Sequence, residues 1–320
     1  MTADHSTTGL ARLTILVPCY NEEATLDACA NRLLEIVEKL VAAGKVSEHS
    51  SVCFIDDGSA DATWTMISGR AERDRRVHGI KLARNHGHQL ALLAGLSEAS
   101  GDAVVTIDAD LQDDPAVIED MVDAWVAGND IVFGVRRQRD SDSWSKRTFA
   151  LAYYRILRLM GVDIVHNHAD FRLMSRRALE ILKQYSEVNV FLRGIIPTIG
   201  LPRTTVAYDR VARAAGESKY SIRKMLSLAI DGITSFSPLP LRMIAALGIL
   251  TFLGSLALSI WVLWIYFVNQ DAVPGWSSSV LPMYFLGGIQ LLGIGIVGEY
   301  VAKAYMETKR RPRFIIDRTV

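Results

Sequence analysis

The first 135 residues alternate between short apolar runs and longer segments in which apolar residues recur at helical spacing. After the first run, for example, Leu26, Leu33, Val37 and Leu40 would share one face of a helix. Short runs rich in β-branched residues are typical of buried strands. This alternation predicts an α/β domain with a parallel sheet and helices on both faces. The four runs are 13–17, 51–55, 77–82 and 103–107, and a fifth follows at 130–135.

A polar turn follows each of the first four runs. Because the carboxyl ends of parallel strands meet at one edge of a sheet, the four turns should form one ligand-binding crevice. The glycine patterns of dinucleotide-binding folds and of phosphate-binding loops are absent, which argues against a dehydrogenase and a P-loop ATPase. The turns are 18–23, 56–59, 84–87 and 108–112.

The fourth turn is crowded with carboxylates. Asp108 and Asp110 are two residues apart, so an extended backbone would direct both side chains to the same side. Like charges this close repel unless a cation lies between them, and oxygen ligands without cysteine suit Mg²⁺ or Mn²⁺. We predict a divalent metal there. For Asp113 and Asp114, capping of a helix that begins near Pro115 is an equal alternative.

Charge is balanced over the chain but unevenly distributed. Lys+Arg and Asp+Glu each number 35, so no global basic charge indicates nucleic-acid binding. The spans 243–267 and 281–298 contain no Asp, Glu, Lys or Arg and reach the roughly 20 residues that cross a bilayer. Basic residues flank this pair, at 242 and 303–313, whereas the connecting loop 268–280 has none. The positive-inside rule then predicts a multi-pass inner (cytoplasmic) membrane protein whose α/β domain and both termini are cytoplasmic.

Residues 220–236 are amphipathic and predict a helix lying in the membrane interface. Pro238 and Pro240 separate this helix from the first span. The three cysteines fit neither a disulfide framework nor a zinc site, and we expect buried, reduced thiols. We therefore divide the chain into a cytoplasmic α/β domain at 1–215, a juxtamembrane helix at 216–240, a transmembrane hairpin at 241–305 and a cytoplasmic tail at 306–320.

Basic residues at two places are candidates for binding phosphate. Arg210, Arg213 and Lys219 surround a glycine and suit a phosphate group, although a basic segment lying on anionic headgroups has the same composition. The polar stretch 136–145 is a weaker candidate. It is predicted to be a surface loop that acts as a lid, and its arginines, Arg136, Arg137 and Arg139, would contact phosphate.

Four segments together resemble the nucleotide-sugar-binding series of family 2 glycosyltransferases. They are Val-Pro-Cys-Tyr-Asn-Glu-Glu at 17–23, Asp-Asp-Gly-Ser at 56–59, Arg-Asn-His-Gly at 84–87 and Asp-Ala-Asp-Leu-Gln-Asp at 108–113. The resemblance implies a GT-A (Rossmann-like) domain that binds a nucleotide diphosphate sugar, with the metal on the diphosphate. By position it assigns Pro18, Tyr20, Glu22, Asp57 and Arg84 to the donor pocket, and Asp108, Asp110 and Gln112 to the metal.

Two later segments resemble the acceptor side of polyprenyl-phosphate glycosyltransferases: Ala-Asp-Phe-Arg-Leu-Met at 169–174 and Arg-x-x-Gly-x-Ser-Lys-Tyr at 213–220. The resemblance implies inverting transfer of a hexose to polyprenyl phosphate, with Arg210, Arg213 and Lys219 on the acceptor phosphate and Asp170 facing the reacting centre. Tetrameric members of this subfamily imply a homo-oligomer. A phosphate monoester, with a second pKa near 6, is largely anionic at pH 7. We therefore expect Asp170 to orient the site or hold the metal, not to remove a proton.

The identity of the sugar stays open at this point. UDP-glucose is the first choice, with UDP-N-acetylhexosamine, UDP-galacturonate, a 4-amino-arabinose donor and GDP-mannose as alternatives. A processive polysaccharide synthase is disfavoured because the chain lacks Gln-x-x-Arg-Trp and has only two predicted spans. A non-catalytic membrane scaffold is disfavoured by the complete acidic and basic clusters. The tail at 313–318 is predicted to pair as a strand with another subunit.

Overall fold

The computed structural model describes residues 9–137, 168–188, 190–209, 239–264 and 276–320. The chain forms two compact units. The first comprises residues 1–155, 163–219 and 311–320, and the second comprises 156–162 and 220–310. The predicted helix at 220–236 lies outside the described residues.

The first unit is built on an eight-stranded sheet with the order β7-β5-β6-β4-β1-β2-β3-β8. All its strands run in one direction except β6 and β8, which are antiparallel to their neighbours. The prediction of a parallel sheet is therefore correct for the centre and wrong for these two strands. The strands are β1 (Leu13–Cys19), β2 (Ser51–Asp56), β3 (Val77–Leu82), β4 (Ala103–Thr106), β5 (Ile131–Arg136), β6 (His168–Ser175), β7 (Arg203–Tyr208) and β8 (Ile316–Thr319).

Helices cover both faces of this sheet, as the sequence predicts. Ile15, Phe54 and Val105 belong to one continuous apolar core with residues of α1, α2 and α4. Leu16 and Ile55 project to the opposite face, where they approach Gly95 of α3. The helices of this unit are α1 (Leu26–Ala42), α2 (Thr63–Ala71), α3 (His88–Glu98), α4 (Val117–Val126), α5 (Arg176–Leu182) and α6 (Leu192–Thr198).

Strand β8 corrects the prediction for the C-terminal tail. Instead of pairing with another subunit, residues 316–319 add an antiparallel edge strand to β3 of the same chain. Gly79 and Val320 exchange both backbone hydrogen bonds, each at 2.9 Å. Ala83 then donates its N–H to the carbonyl of Ile315, immediately before the polar turn at 84–87. Residues 311–320 therefore belong to the first unit.

The second unit contains two long helices, α7 (Leu239–Trp264) and α8 (Trp276–Thr308). Large apolar side chains on both helices are exposed, including Leu250, Trp264 and Leu291. Among the described residues, no helix is long and apolar enough to be identified as a membrane span.

Candidate functional site

The first two polar turns are joined into one wall of the crevice. Asn21 has a left-handed backbone (φ 55°), donates its N–H to Ser59 Oγ and accepts from the N–H of Ala60. Glu22 donates its N–H to Thr63 Oγ1 at 2.9 Å. These contacts fix the turn after β1 against the turn after β2, as expected for neighbouring parallel strands.

The third turn is held against the second by a glycine and a carboxylate. Gly58 has φ +69°, and a Cβ at this position would lie 2.5 Å from the carbonyl carbon of Arg84. Beside it, the buried Asp57 carboxylate accepts the backbone N–H groups of His86 (2.7 Å) and Gly87 (2.8 Å). Burial raises the pKa of Asp57, and these two hydrogen bonds oppose that rise. Asp57 therefore shapes the crevice by holding the 84–87 turn.

The other predicted donor-pocket residues differ in exposure. Pro18 is buried at the end of β1, whereas Tyr20 is 49% exposed and Arg84 is exposed on its turn. Glu22 is half-buried and accepts the Thr25 hydroxyl at 2.7 Å. The ring of Tyr20 and the Arg84 side chain are thus accessible to a bound nucleotide.

The predicted metal residues follow the end of β4. Asp110 accepts the N–H of Gln112, and the intervening Leu111 has a left-handed backbone (φ 50°). Gln112 is buried, and its side-chain Oε1 has no hydrogen-bond partner among the described residues. A buried, unpaired oxygen is costly unless a ligand satisfies it. Gln112 therefore suits a cation.

Asp108 lies in an environment that a cation would relieve. Desolvation raises the pKa of its carboxylate, as do the charges of Asp170, Asp113 and Asp110, while His88 lowers it. Within the described ranges, no group of three or more His, Cys, Asp and Glu side chains would hold a metal ion. Mg²⁺ commonly uses one or two carboxylates and takes its remaining ligands from substrate phosphates and water. Two carboxylates and an amide oxygen fit that mode of binding.

Asp113 and Arg136 have a structural role. Asp113 is buried and forms an ion pair with Arg136 at 3.0 Å, and Arg136 also contacts the Tyr208 hydroxyl. The prediction that Arg136 meets phosphate is thus at odds with its position, because its guanidinium is already paired with Asp113, next to the turn at 108–112. Asp114 accepts the backbone N–H of Ala116, but Ala116 itself is the N-cap residue of α4 and no described side chain caps this helix, so the capping alternative is not found.

Asp170, on β6, is the most heavily bonded carboxylate of the site. It lies in line with the end of β4, since Thr106 pairs with Arg172. Its Oδ1 accepts from Arg172 Nη2 (2.5 Å) and Arg193 Nε (3.2 Å). Its Oδ2 accepts from Arg193 Nη2 (2.9 Å), His88 Nε2 (3.2 Å) and Gln89 Nε2 (3.3 Å). Four side chains from α3, β6 and α6 therefore converge on one buried group.

The electrostatics of this cluster keep Asp170 ionised. Burial alone would raise its pKa, but the His88 hydrogen bond and the charges of Arg172 and Arg193 outweigh burial and hold the pKa well below its usual range. Burial likewise lowers the pKa of His88, yet Asp170 and Asp108 together raise it overall. The imidazole Nε2 lies 3.8 Å from Asp108 Oδ1 and 3.2 Å from Asp170 Oδ2, so His88 links the two carboxylates.

Sequence reasoning missed His88, Gln89 and Arg193. The first two directly follow the Arg-Asn-His-Gly turn, so extending that motif by two residues would have included them. Arg193 has no local signal, because the fold brings it to Asp170 across 23 positions of chain. The predicted acceptor cations Arg210, Arg213 and Lys219 lie outside the described residues and stay predictions.

The chain matches the model of the family described as glycosyl transferase family 2 over residues 14–182. This match contains all four strand-end turns, Asp170 and Arg172. The chain therefore belongs to glycosyl transferase family 2, and its first unit has the GT-A-like α/β fold of that family.

Two relatives match nearly the whole chain. One, from Bacillus subtilis, is named uncharacterized glycosyltransferase YkoT and is 47% identical over 307 residues, covering 95% of this chain and 91% of that protein. The other, from Shigella phage SfV, is named bactoprenol glucosyl transferase and is 39% identical over 306 residues, covering 95% of this chain and 98% of that protein.

Among solved structures, glucosyl-3-phosphoglycerate synthase from Mycobacterium tuberculosis in complex with uridine diphosphate is similar with a TM-score of 0.47 and 18% identity. The match covers 71% of this chain and 79% of that one.

Proposed function

We propose that this glycosyltransferase moves a hexose, with glucose from UDP-glucose as the first candidate, to a polyprenyl phosphate and inverts the anomeric centre. The bactoprenol glucosyl transferase relative, aligned over 95% of this chain, supports the choice of sugar and acceptor. The structural observation that carries the proposal is the bonding of Asp170. A carboxylate that accepts five hydrogen bonds and has a strongly depressed pKa is a poor base.

The state of Asp170 discriminates between two kinds of acceptor. A sugar hydroxyl must lose a proton as the new bond forms, so it needs a nearby base. A phosphate monoester, already largely anionic at pH 7, can attack the anomeric carbon directly. The site therefore suits a phosphate acceptor, and Asp170 acts by holding Arg172, Arg193 and His88 in place.

On the donor side, Asp108, Asp110 and Gln112 would hold Mg²⁺ or Mn²⁺. When bound, such an ion neutralises charge on the departing diphosphate. The ion pair between Asp113 and Arg136 keeps the turn at 108–112 against β5. Asp57 holds the turn at 84–87 in place beside it. These residues supply rigid positioning, which lowers the barrier to an in-line displacement.

We further propose that the enzyme works at the inner membrane, with its catalytic domain and both termini in the cytoplasm. One observation supports membrane attachment, since α7 and α8 expose large apolar side chains such as Leu250 and Leu291. The proposed acceptor, a polyprenyl phosphate, would itself be confined to a bilayer. The two-span topology and an oligomeric assembly stay predictions from the sequence.

The experiment is a transfer assay with full-length enzyme in detergent or nanodiscs. We expect release of UDP from UDP-glucose that requires both polyprenyl phosphate and Mg²⁺ or Mn²⁺. Asp108→Asn should lower the rate at least about 100-fold, because charge stabilisation at a leaving group is a large catalytic term. Asp120→Asn, at an exposed position on α4, is the matched control and should keep wild-type activity.

The same assay with UDP-N-acetylhexosamine, UDP-galacturonate, a 4-amino-arabinose donor and GDP-mannose tests the choice of sugar. Faster transfer from another donor would replace glucose in the proposal but leave the reaction class intact. No acceptor-dependent release from any of these donors would refute the proposed function.

A further inference from the structure

Gln89 bridges two elements of the site through one half-buried side-chain amide. Its Nε2 donates to Asp170 Oδ2 at 3.3 Å, and its Oε1 accepts the backbone N–H of Leu192 at 3.1 Å. An ionised carboxylate only accepts and a backbone N–H only donates, so the bridge needs a side chain that does both. Glutamine does both without a charge, whereas an ionised glutamate only accepts and a lysine only donates. Gln89 therefore joins β6 to the first residue of α6.

The first turn of α6 receives a hydrogen-bond partner from this bridge. The N–H groups of a first helical turn have no partner within the helix. Phe191 precedes α6, and its side chain makes no capping bond. Leu192 is fully buried, and a buried N–H without a partner is costly. Gln89 thus supplies from α3 the cap that the local sequence of α6 lacks.

Both ends of the bridge bear on the ion pair between Asp170 and Arg193. One end is the Asp170 carboxylate itself, and the other is the residue directly before Arg193 in α6. The Nε and Nη2 atoms of Arg193 lie 3.2 and 2.9 Å from the two carboxylate oxygens. Because Gln89 is uncharged, it can fix the geometry of this pair without altering the charges around it.

Gln89 is also close in sequence to the turn at 84–87. It is the second residue of α3, and this helix begins directly after the turn. Asp57 holds the same turn by accepting two of its backbone N–H groups. A path of covalent and hydrogen bonds therefore runs from the second polar turn through the third turn and Gln89 to Asp170 and α6.

We propose that Gln89 is a positioning residue that fixes Asp170 and Arg193 relative to the turn at 84–87 and thereby aligns the acceptor with the donor sugar. This inference rests on the proposed function and adds to it a residue that acts through other residues. Alignment of two reacting groups lowers the barrier to the chemical step. Loss of the bridge should therefore lower kcat much more than it raises either KM.

Three substitutions in full-length enzyme separate the two hydrogen bonds. Gln89→Met removes both, Gln89→Lys keeps only a donor for Asp170, and Gln89→Glu keeps only an acceptor for Leu192. We expect each to lower kcat, by roughly 10- to 100-fold in Gln89→Met, while KM for UDP-glucose and for polyprenyl phosphate changes less than about threefold. Gln184→Met, at an exposed glutamine that bonds the carbonyl of Glu180, is the control and should match wild type.

A double variant tests whether Gln89 acts through Arg193. Effects of residues that act as one unit are not additive. Gln89→Met should therefore lower kcat by less than about threefold in an enzyme that already carries Arg193→Gln. An equal loss in the wild-type and Arg193→Gln backgrounds would overturn the inference.

Thermal unfolding separates positioning from stability. Gln89→Met should lower the melting temperature by about 2–4 °C, because α6 loses its cap, and kinetics are measured well below that temperature. A lower melting temperature with wild-type kcat would reduce Gln89 to a structural role and overturn the inference.

Two further kinetic results would overturn it. Wild-type kcat in Gln89→Lys or Gln89→Glu would show that one bond of the bridge is not needed. A selective rise in one KM with unchanged kcat would make Gln89 a substrate ligand instead. Absence of transfer by the wild-type enzyme would refute the proposed function itself, so the two failures are distinguishable.

Discussion

At the scale of single residues, Asp170 organises the site through its charge. Its carboxylate is buried, stays ionised and joins α3, β6 and α6 through His88, Gln89, Arg172 and Arg193. The sequence indicated that Asp170 faces the reacting centre and orients the site. The hydrogen-bond partners of Asp170 were not predictable from its own segment. His88, Gln89 and Arg193 are distant from Asp170 in sequence, and no repeating pattern connects them to it.

Asp170→Asn should destabilise the catalytic domain as well as reduce transfer. Removing the charge leaves Arg172 buried and unpaired, which costs about 3 kcal/mol or more. Since the folded pKa of Asp170 is depressed, its contribution is present above the ordinary pKa of about 3.9, including at pH 7, and is lost as pH falls through the folded value. Thermal unfolding at pH 7 is the measurement.

The three free cysteines provide a probe for that measurement. Cys19, Cys29 and Cys53 are buried in the first unit, and burial raises the pKa of each thiol. A thiol-reactive dye therefore reports unfolding of this unit in the full-length protein. Asp120→Asn is the control with no expected shift. Wild-type stability with reduced transfer in Asp170→Asn would contradict the structural role and favour direct participation in the chemistry.

At the scale of elements, the crevice depends on close contact between the turns after β2 and β3. Gly58 combines a left-handed backbone with backbone atoms of Arg84 and Asn85 inside the space of a Cβ. Gly44 offers a comparison, since it has a similar φ of +67° but no atom within 4 Å of a Cβ.

Gly58→Ala should therefore destabilise the first unit more than Gly44→Ala. Left-handed strain alone costs about 1–2 kcal/mol and applies to both variants, whereas only Gly58→Ala must also displace the 84–87 turn. We expect a lower melting temperature by the thiol probe and a raised KM for UDP-glucose in Gly58→Ala. Equal effects of the two variants would show that the contact between the turns is unimportant.

The strands of the first unit also show which parts of the fold can be predicted from local sequence. The four apolar runs form β1 to β4, because stretches this short, rich in β-branched residues and bounded by turns, favour strands over helices. Strand β6 was missed since Asp170 and Arg172 look polar locally, and only long-range pairing buries them between β4 and β5. The local sequence of β8 does not indicate which strand it pairs with, and the prediction that it pairs with another subunit is wrong. In the fold, β8 pairs with β3 of the same chain.

At the scale of the whole molecule, the proposed reaction requires the catalytic domain and the lipid acceptor to meet at a membrane. The charge pattern predicts that the loop 268–280 lies on the side opposite to both termini. The native cysteines are buried, so single introduced cysteines can report which side is accessible in intact cells.

A maleimide that does not cross membranes should label Asp271→Cys in spheroplasts and should label Thr319→Cys only after lysis. The expected difference arises because two spans would place these positions on opposite sides of the membrane. Wild-type protein controls for reaction of the native thiols. Labelling of both positions only after lysis would contradict the spanning hairpin while leaving attachment to the inner surface as the alternative.

The most direct test of the central claim is the anomeric configuration of the lipid product. UDP-glucose carries an α-linked sugar, and direct attack by a phosphate oxygen inverts that carbon. We therefore predict β-linked glucose on polyprenyl phosphate, read from the anomeric coupling constant in the NMR spectrum of the isolated product. An α-linked product, or free glucose released at the same rate with and without acceptor, would contradict a single inverting transfer to a lipid phosphate.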